Sequence, residues 1–275
     1  MRLKRIHWFE FHDLAWFPAT FRDALTEWLR VLWDRIDASS TIAPVLAEML
    51  HESRAVRIVD LCSGASGPLL GILREFQAGG WDFSAVVTDK FPNVNSMREL
   101  RSKSEGVIDG WLTSVDATAV PRDLTGLRTL FNSFHHFQPL EAEQILKDAY
   151  DAQQPIGIFE IPNRTFGGVG FSFIATFLGV LLFTPTMRPK RPASWIFTYL
   201  LPIIPFTVAW DGWVSHLRAY TPDELLQMTC KFSESYCWET RELKIRNGQF
   251  TVTCLLGFPR QTTSVAAVPG DALAR

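Results

Sequence analysis

Apolar side chains at Phe21, Leu25, Trp28, Leu29, Leu32, Trp33 and Ile36 recur every three or four residues, the spacing of a helix that buries one face. Trp8, Phe9, Phe11, Trp16 and Phe17 lead into it through Pro18, and a second helix is predicted over 42–50. Residues 1–54 read as an N-terminal helical segment, either packed on the main domain or folded as a lid over a ligand pocket. From Ala55 the pattern changes. Short apolar runs, predicted as strands near 56–61, 84–88, 110–114, 127–132 and 156–161, alternate with helical or loop stretches, as in a parallel sheet with crossover helices. A helix over 140–153 places Ala142, Ile145, Leu146 and Ala149 on one side and charges on the other. Thr221 is placed to cap a further helix with acids in its first turn. Strands at 236–244 and 250–258 are separated by Arg246-Asn247-Gly248-Gln249, whose Asn-Gly pair signals a hairpin. The pattern predicts an α/β fold, a doubly wound, mostly parallel sheet with an antiparallel C-terminal hairpin. It would occupy 55–260, with a flexible tail at 261–275.

Composition narrows the function. A chain of 275 residues that is 47% hydrophobic has material for one large domain, not two catalytic ones. A formal charge of −2 gives no basic footprint, so nucleic acid ranks low as a partner. Cys62, Cys230, Cys237 and Cys254 lack paired C-x-x-C spacing and follow no secretory signal, which predicts neither a metal site nor disulfides and makes the cytoplasm the default compartment.

The most informative stretch is Val-Arg-Ile-Val-Asp-Leu-Cys-Ser-Gly-Ala-Ser-Gly-Pro-Leu-Leu at 56–70. A β-branched run ends in Asp60, a turn carries Gly64 and Gly67, and a helix follows whose first N–H groups could face a ligand. With the order of elements, this stretch resembles the class I S-adenosylmethionine-dependent methyltransferases, a Rossmann-like family with seven strands, over roughly 55–259 apart from one insertion. The family's first motif has an acid followed by glycines at alternate positions. Asp60, Cys62, Gly64 and Ser66 hold that register here, with Cys62 and Ser66 departing from glycine.

The resemblance implies S-adenosyl-L-methionine as cofactor. It assigns Asp60, Cys62, Ser63, Gly64 and Gly67 to the cofactor turn, and Asp89 with Lys90, in Val-Val-Thr-Asp-Lys, to the ribose hydroxyls. Asp116 and Ala117 fall at the adenine position, and Asn132 and Ser133 beside the transferable methyl. His135 and His136 follow, a stretch that looks like the small-molecule branch and unlike the Asn-Pro-Pro-Tyr pattern of amino-group modifiers of nucleic acid and protein. Either histidine is a candidate base, since imidazole titrates near neutrality, and either is equally a structural loop residue. Glu160 and Asn163 are candidates for orienting the acceptor. Asp211, Ser215, Arg218 and Tyr220, in an aromatic and polar stretch just ahead of the Thr221 helix, either bind the acceptor or anchor the insertion through an ion pair and caps.

That insertion, 164–215, is the chain's distinguishing feature. Residues 165–187 and 193–210 carry no charge, and Arg188-Pro-Lys-Arg-Pro192 separates them. Each half approaches the length of a membrane span, but Gly167, Gly168, Gly170 and Gly179 weaken the first, and Pro202 and Pro205 interrupt the second. Three readings stand: a buried lid or homodimer surface, a hairpin docked on a membrane, or spanning helices. All three favour a greasy neighbourhood, and with the resemblance they imply a small hydrophobic acceptor, aromatic, quinone-like or lipid-like. The rival functions are an NAD-dependent oxidoreductase, because Cys62-Ser-Gly64-Ala-Ser-Gly67 misses G-x-G-x-x-G at its first position, and a non-catalytic, membrane-associated binding protein that keeps the fold.

Overall fold

The computed structural model describes residues 3–64, 67–187, 190–232, 234–245 and 248–260. Ser66, Arg188, Arg246, Asn247 and the predicted tail at 261–275 lie outside the described residues. Seven strands form one sheet: β1 Ile58–Asp60, β2 Ala85–Val87, β3 Ile108–Gly110, β4 Leu127–Phe131, β5 Ile156–Glu160, β6 Tyr236–Ile245 and β7 Phe250–Pro259. Their order is β3-β2-β1-β4-β5-β7-β6. The first five are parallel, and β7 runs antiparallel between β5 and β6. The order reverses between β1 and β4, and the crevice outside the carboxyl ends of these strands is where such sheets bind ligands.

Successive residues of β1 explain its unbroken apolar run. Ile58 enters one core, shared with Leu127 and with helices α2 (Ala38–Ser53), α3 (Leu69–Gly79) and α4 (Val94–Lys103). Val59 enters the core on the opposite face, with Ile145 and Leu146 of α5 (Pro139–Asp151) and Leu225 of α9 (Pro222–Thr229). Both faces are covered, so neither can alternate with polar residues. Thr221 caps α9 as the spacing predicts, in a reciprocal pair with Glu224. The hairpin is likewise present, with Ile245 paired to Phe250 across a four-residue connection.

Two expectations are corrected. The third strand lies at Ile108–Gly110, not 110–114: Ile108 is fully buried beside Ala85, whereas the apolar Leu112 that suggested a later strand points out. Residues 210–218 do not precede a helix but end one, α8 (Ile203–Arg218). Pro202 caps it and Pro205 occupies its first turn, where a missing N–H breaks no helical hydrogen bond, so the prolines start this helix instead of interrupting it.

The insertion consists of α6 (Phe166–Phe183), α7 (Pro192–Trp195) with a wider turn over Ile196–Leu200, and α8. Thr165 caps α6 by accepting from Gly168 N at 2.9 Å. A third core joins it to the N-terminal helix α1 (Ala19–Ile36): Leu25, Trp28 and Val31 pack against Val180, Ile204 and Val208. The end of α1, at Leu32, Trp33 and Ile36, reaches the main core.

Candidate functional site

At the end of β1 the chain turns through Cys62, Gly64 and Gly67, all with left-handed backbones (φ 56°, 54° and 46°). Ser63 N donates to Thr88 O and Thr88 N to Asp60 O, which splices the turn onto the end of β2. Asp60 is itself enclosed, and its carboxylate accepts from Ser63 Oγ and, at 2.7 Å, from Thr129 Oγ1. Burial outweighs those hydrogen bonds and pushes its pKa up to about 7. Asp60 thus shapes the turn from inside. A Cβ added at Gly64 or Gly67 would meet nothing within 4 Å, so the turn's backbone is open on its outer side.

Asp89 stands at that opening. Its Oδ2 accepts from Gly64 N at 2.9 Å and its Oδ1 from Phe91 N at 2.8 Å, leaving each oxygen a second acceptor site. Lys90 reaches across to Asp116 at 2.8 Å. That bond, with Thr118, holds the Asp116 carboxyl down at about 2. Ala117 is buried in the core beneath. Ser63, Gly64, Gly67, Asp89, Lys90 and Asp116 therefore gather along the β1 and β2 ends. Asn132 instead shapes the chain after β4, which its left-handed backbone (φ 49°) reverses, and its Oδ1 accepts from Ile161 N at 2.8 Å. Ser133 follows, buried, with no hydrogen-bond partner on its Oγ.

The reversed chain forms a short turn over Phe134–His136. Glu160, ending the adjacent β5, accepts from Phe134 N at 2.8 Å with Oε1 and contacts His135 Nδ1 at 2.5 Å with Oε2. A carboxylate only accepts, so Nδ1 carries the proton that faces Glu160, while Nε2 points toward Glu10, whose Oε1 lies 4.0 Å away. His135 is 2% exposed, and its Nε2 has no hydrogen-bond partner. Glu160, expected to orient the acceptor directly, acts here on the histidine.

His136 lies in a different environment. Its Nδ1 is 3.1 Å from Asp13 and 3.6 Å from Glu10. Burial alone would lower its pKa, but Glu10 and Asp13 outweigh burial and hold it up at about 9. Its protonated form is therefore the favoured one near neutral pH. Glu10 and Asp13 also bind Arg218, at 3.3 and 2.7 Å. Glu10, His135 and His136 bring donor atoms within 4.8 Å of one another, as a metal-ligand set would, but the Arg218 guanidinium already supplies the positive charge among them.

The remaining predicted residues secure the N-terminal strap that carries Glu10 and Asp13. Arg218 Nε donates to Trp8 O, Ser215 Oγ to Glu10, and Tyr220 OH to Phe137 O while its ring lies 4.0 Å below the Arg5 guanidinium. Asp211 accepts from Phe11 N and His12 N; burial raises its pKa to about 7. Asn163 Oδ1 accepts from Thr165, and its backbone meets His216. Sequence reasoning did not single out Glu10, Asp13 or Arg5. The available signal was one acid, Glu10, set inside the run Trp8-Phe9-Glu10-Phe11.

No known family model matches this chain, and no curated protein matches it. Solved structures do. The plantazolicin methyltransferase BpumL, solved with SAH, aligns over 90% of this chain and 93% of its own at 12% identity, with a TM-score of 0.56. A Rhodobacter sphaeroides protein provisionally described as a Zn-dependent alcohol dehydrogenase aligns over 88% and 98% at 12% identity (TM-score 0.47). The O-methyltransferase NcsB1 of neocarzinostatin biosynthesis aligns over 83% of this chain at 13% identity (TM-score 0.45), and this chain spans 61% of that protein's length. On its strand order and the similarity to BpumL, the chain has the seven-stranded fold of the class I S-adenosylmethionine-dependent methyltransferases.

Proposed function

We propose that this protein transfers the methyl group of S-adenosyl-L-methionine to a small hydrophobic acceptor, aromatic, quinone-like or lipid-like, with His135 as general base. The observation that carries the proposal is the buried Nε2 of His135, without a hydrogen-bond partner, on the turn that follows β4, whose carboxyl end adjoins that of β1. A buried polar atom without a partner is costly unless a ligand supplies one. An acceptor hydroxyl or acidic C–H would supply it.

The residues fit the cofactor. The open backbone at Gly64 and Gly67 admits a close approach, the free acceptor sites of Asp89 suit ribose hydroxyls, and Asp116 and Ser133 offer further polar contacts. When bound, that group supplies an electrophilic methyl on a sulfonium. His135 Nε2 would take the acceptor's proton, and Glu160 would stabilise the imidazolium and fix the ring. His136, whose acidic neighbours Glu10 and Asp13 favour its protonated form, is the poorer base near neutral pH. Exposed Trp8, stacked at 5.7 Å on Trp210, offers apolar surface near the strap.

The test titrates the protein and two variants with S-adenosylmethionine, S-adenosylhomocysteine and NAD(H), then follows labelled-methyl transfer to phenols, quinols and lipids. Asp89→Ala should weaken cofactor binding by more than about 1 kcal/mol. His135→Ala should bind cofactor as the native protein does and lose roughly 10²–10⁴-fold in turnover. Full turnover in His135→Ala removes the base. Binding of NAD(H) alone would make the protein an oxidoreductase, and binding of none a non-catalytic relative.

A further inference from the structure

The insertion turns an apolar face outward. Along α6, Phe171, Ile174, Leu178 and Leu182 form one stripe at helical spacing, each more than half exposed (54–68%). The opposite side of the helix packs inward, with Val180 buried and Gly179 against the Trp28 ring. A helix in contact with water ordinarily carries polar residues on its outer stripe. Here the most apolar 18-residue window of Phe166–Thr186 has a mean hydropathy of 2.1, and only 6% of it is buried. Leu200 and Leu201, in the turn before α8, extend the exposed surface at 75% and 52%.

Two observations select what covers this face. First, the α6 stripe presents no hydrogen-bonding side chain, whereas protein interfaces carry about one hydrogen bond per 100–200 Å². Second, Lys190 follows α6, with Arg188 two positions before it in sequence and Arg191 after it paired with Asp23 of α1, and Trp195 lies 5.5 Å from Tyr199 just beyond. Hydrocarbon contact, interfacial aromatics and cations in sequence around one surface match the layers of an anionic membrane leaflet. The helix is long enough to cross a bilayer, but its inner side packs on α1, which carries Asp23, Glu27, Arg30, Asp34 and Arg35. Burying these charges in hydrocarbon would be prohibitive.

We propose that this face seats the protein on a lipid bilayer with α6 lying in the plane of the interface, not crossing it. Lys190 then meets anionic headgroups, and the strap and its histidines stay on the aqueous side. The inference is independent of the reaction.

The test is flotation of the full chain with vesicles of phosphatidylcholine alone and of equal parts phosphatidylcholine and phosphatidylglycerol. The native chain should float with both, more with the anionic vesicles, and the excess should disappear at high salt. Ile174→Gln and Leu178→Gln should each cut binding about tenfold with an unchanged melting transition, since both side chains are exposed. Lys190→Gln should reduce binding to the anionic vesicles only. No flotation with either vesicle overturns the proposal, as does a soluble dimer that Leu178→Gln converts to monomer.

Discussion

Cys62 occupies a backbone conformation that glycine adopts freely, φ 56°, and a residue with a Cβ meets a cost of roughly 1–2 kcal/mol there. Replacing it with glycine removes that strain but loosens the unfolded chain by about 0.4–1 kcal/mol. Cys62→Gly should therefore stabilise the protein by up to about 1 kcal/mol, read as a higher urea midpoint with an unchanged slope. A loss of stability would mean that the half-buried thiol packs well enough to outweigh the strain. The position itself is legible in the sequence, because it falls in the glycine register after Asp60. The roles of the two histidines are not. Local sequence presents His135 and His136 as equals, and they are separated only by partners brought from residues 10, 13, 160 and 218.

At the scale of elements, one glycine controls the joint between the N-terminal helix and the insertion. Ala in place of Gly within a helix ordinarily stabilises by about 1 kcal/mol. At Gly179, however, a Cβ would lie 2.6 Å from Cη2 of Trp28, a rigid ring held in the third core. Gly179→Ala should reverse the usual sign and destabilise by roughly 1–3 kcal/mol, and Trp28→Leu in the same chain should recover part of the loss. Thermal melts of the two variants and their combination supply the cycle; additive effects would show that the helices do not meet there. In the sequence Gly179 reads as a weakness in a long apolar run. Its contact with a tryptophan some 150 positions earlier has no local trace. The prolines of the second half likewise suggest an interruption until their place in the first turn of α8 is known. Periodicity, by contrast, locates α1, α5 and the terminal hairpin well, since each buries one face or closes one tight turn.

Over the whole molecule, the sheet and its hairpin are readable from the alternation of short apolar runs, but the charge network between strap, histidine turn and α8 sets how stability responds to pH. His136 is held at about 9 against its ordinary 6.5, so its contribution is complete below about 6.5 and disappears as pH rises through 9. The groups facing it are Glu10, Asp13 and Arg218, with His135 and His12 beside them. The loss should be at most ~3 kcal/mol between pH about 6 and about 9.5, measured as urea midpoints. Asp13→Asn should flatten that limb. Asp60 and Asp211, both raised to about 7, act in the same direction at lower pH: the fold favours their protonated forms, and stability declines as they ionise. The ends of the insertion meet at its base, where Asn163 N bonds His216 and Arg164 donates to Ala219 O at 3.1 Å. Because entry and exit adjoin, a short linker would close the main chain across 165–218. Excising that stretch alone would strip the partners from the strap and α1. The two segments, far apart along the chain, behave as a single cassette, to be grafted, exchanged or lost only together.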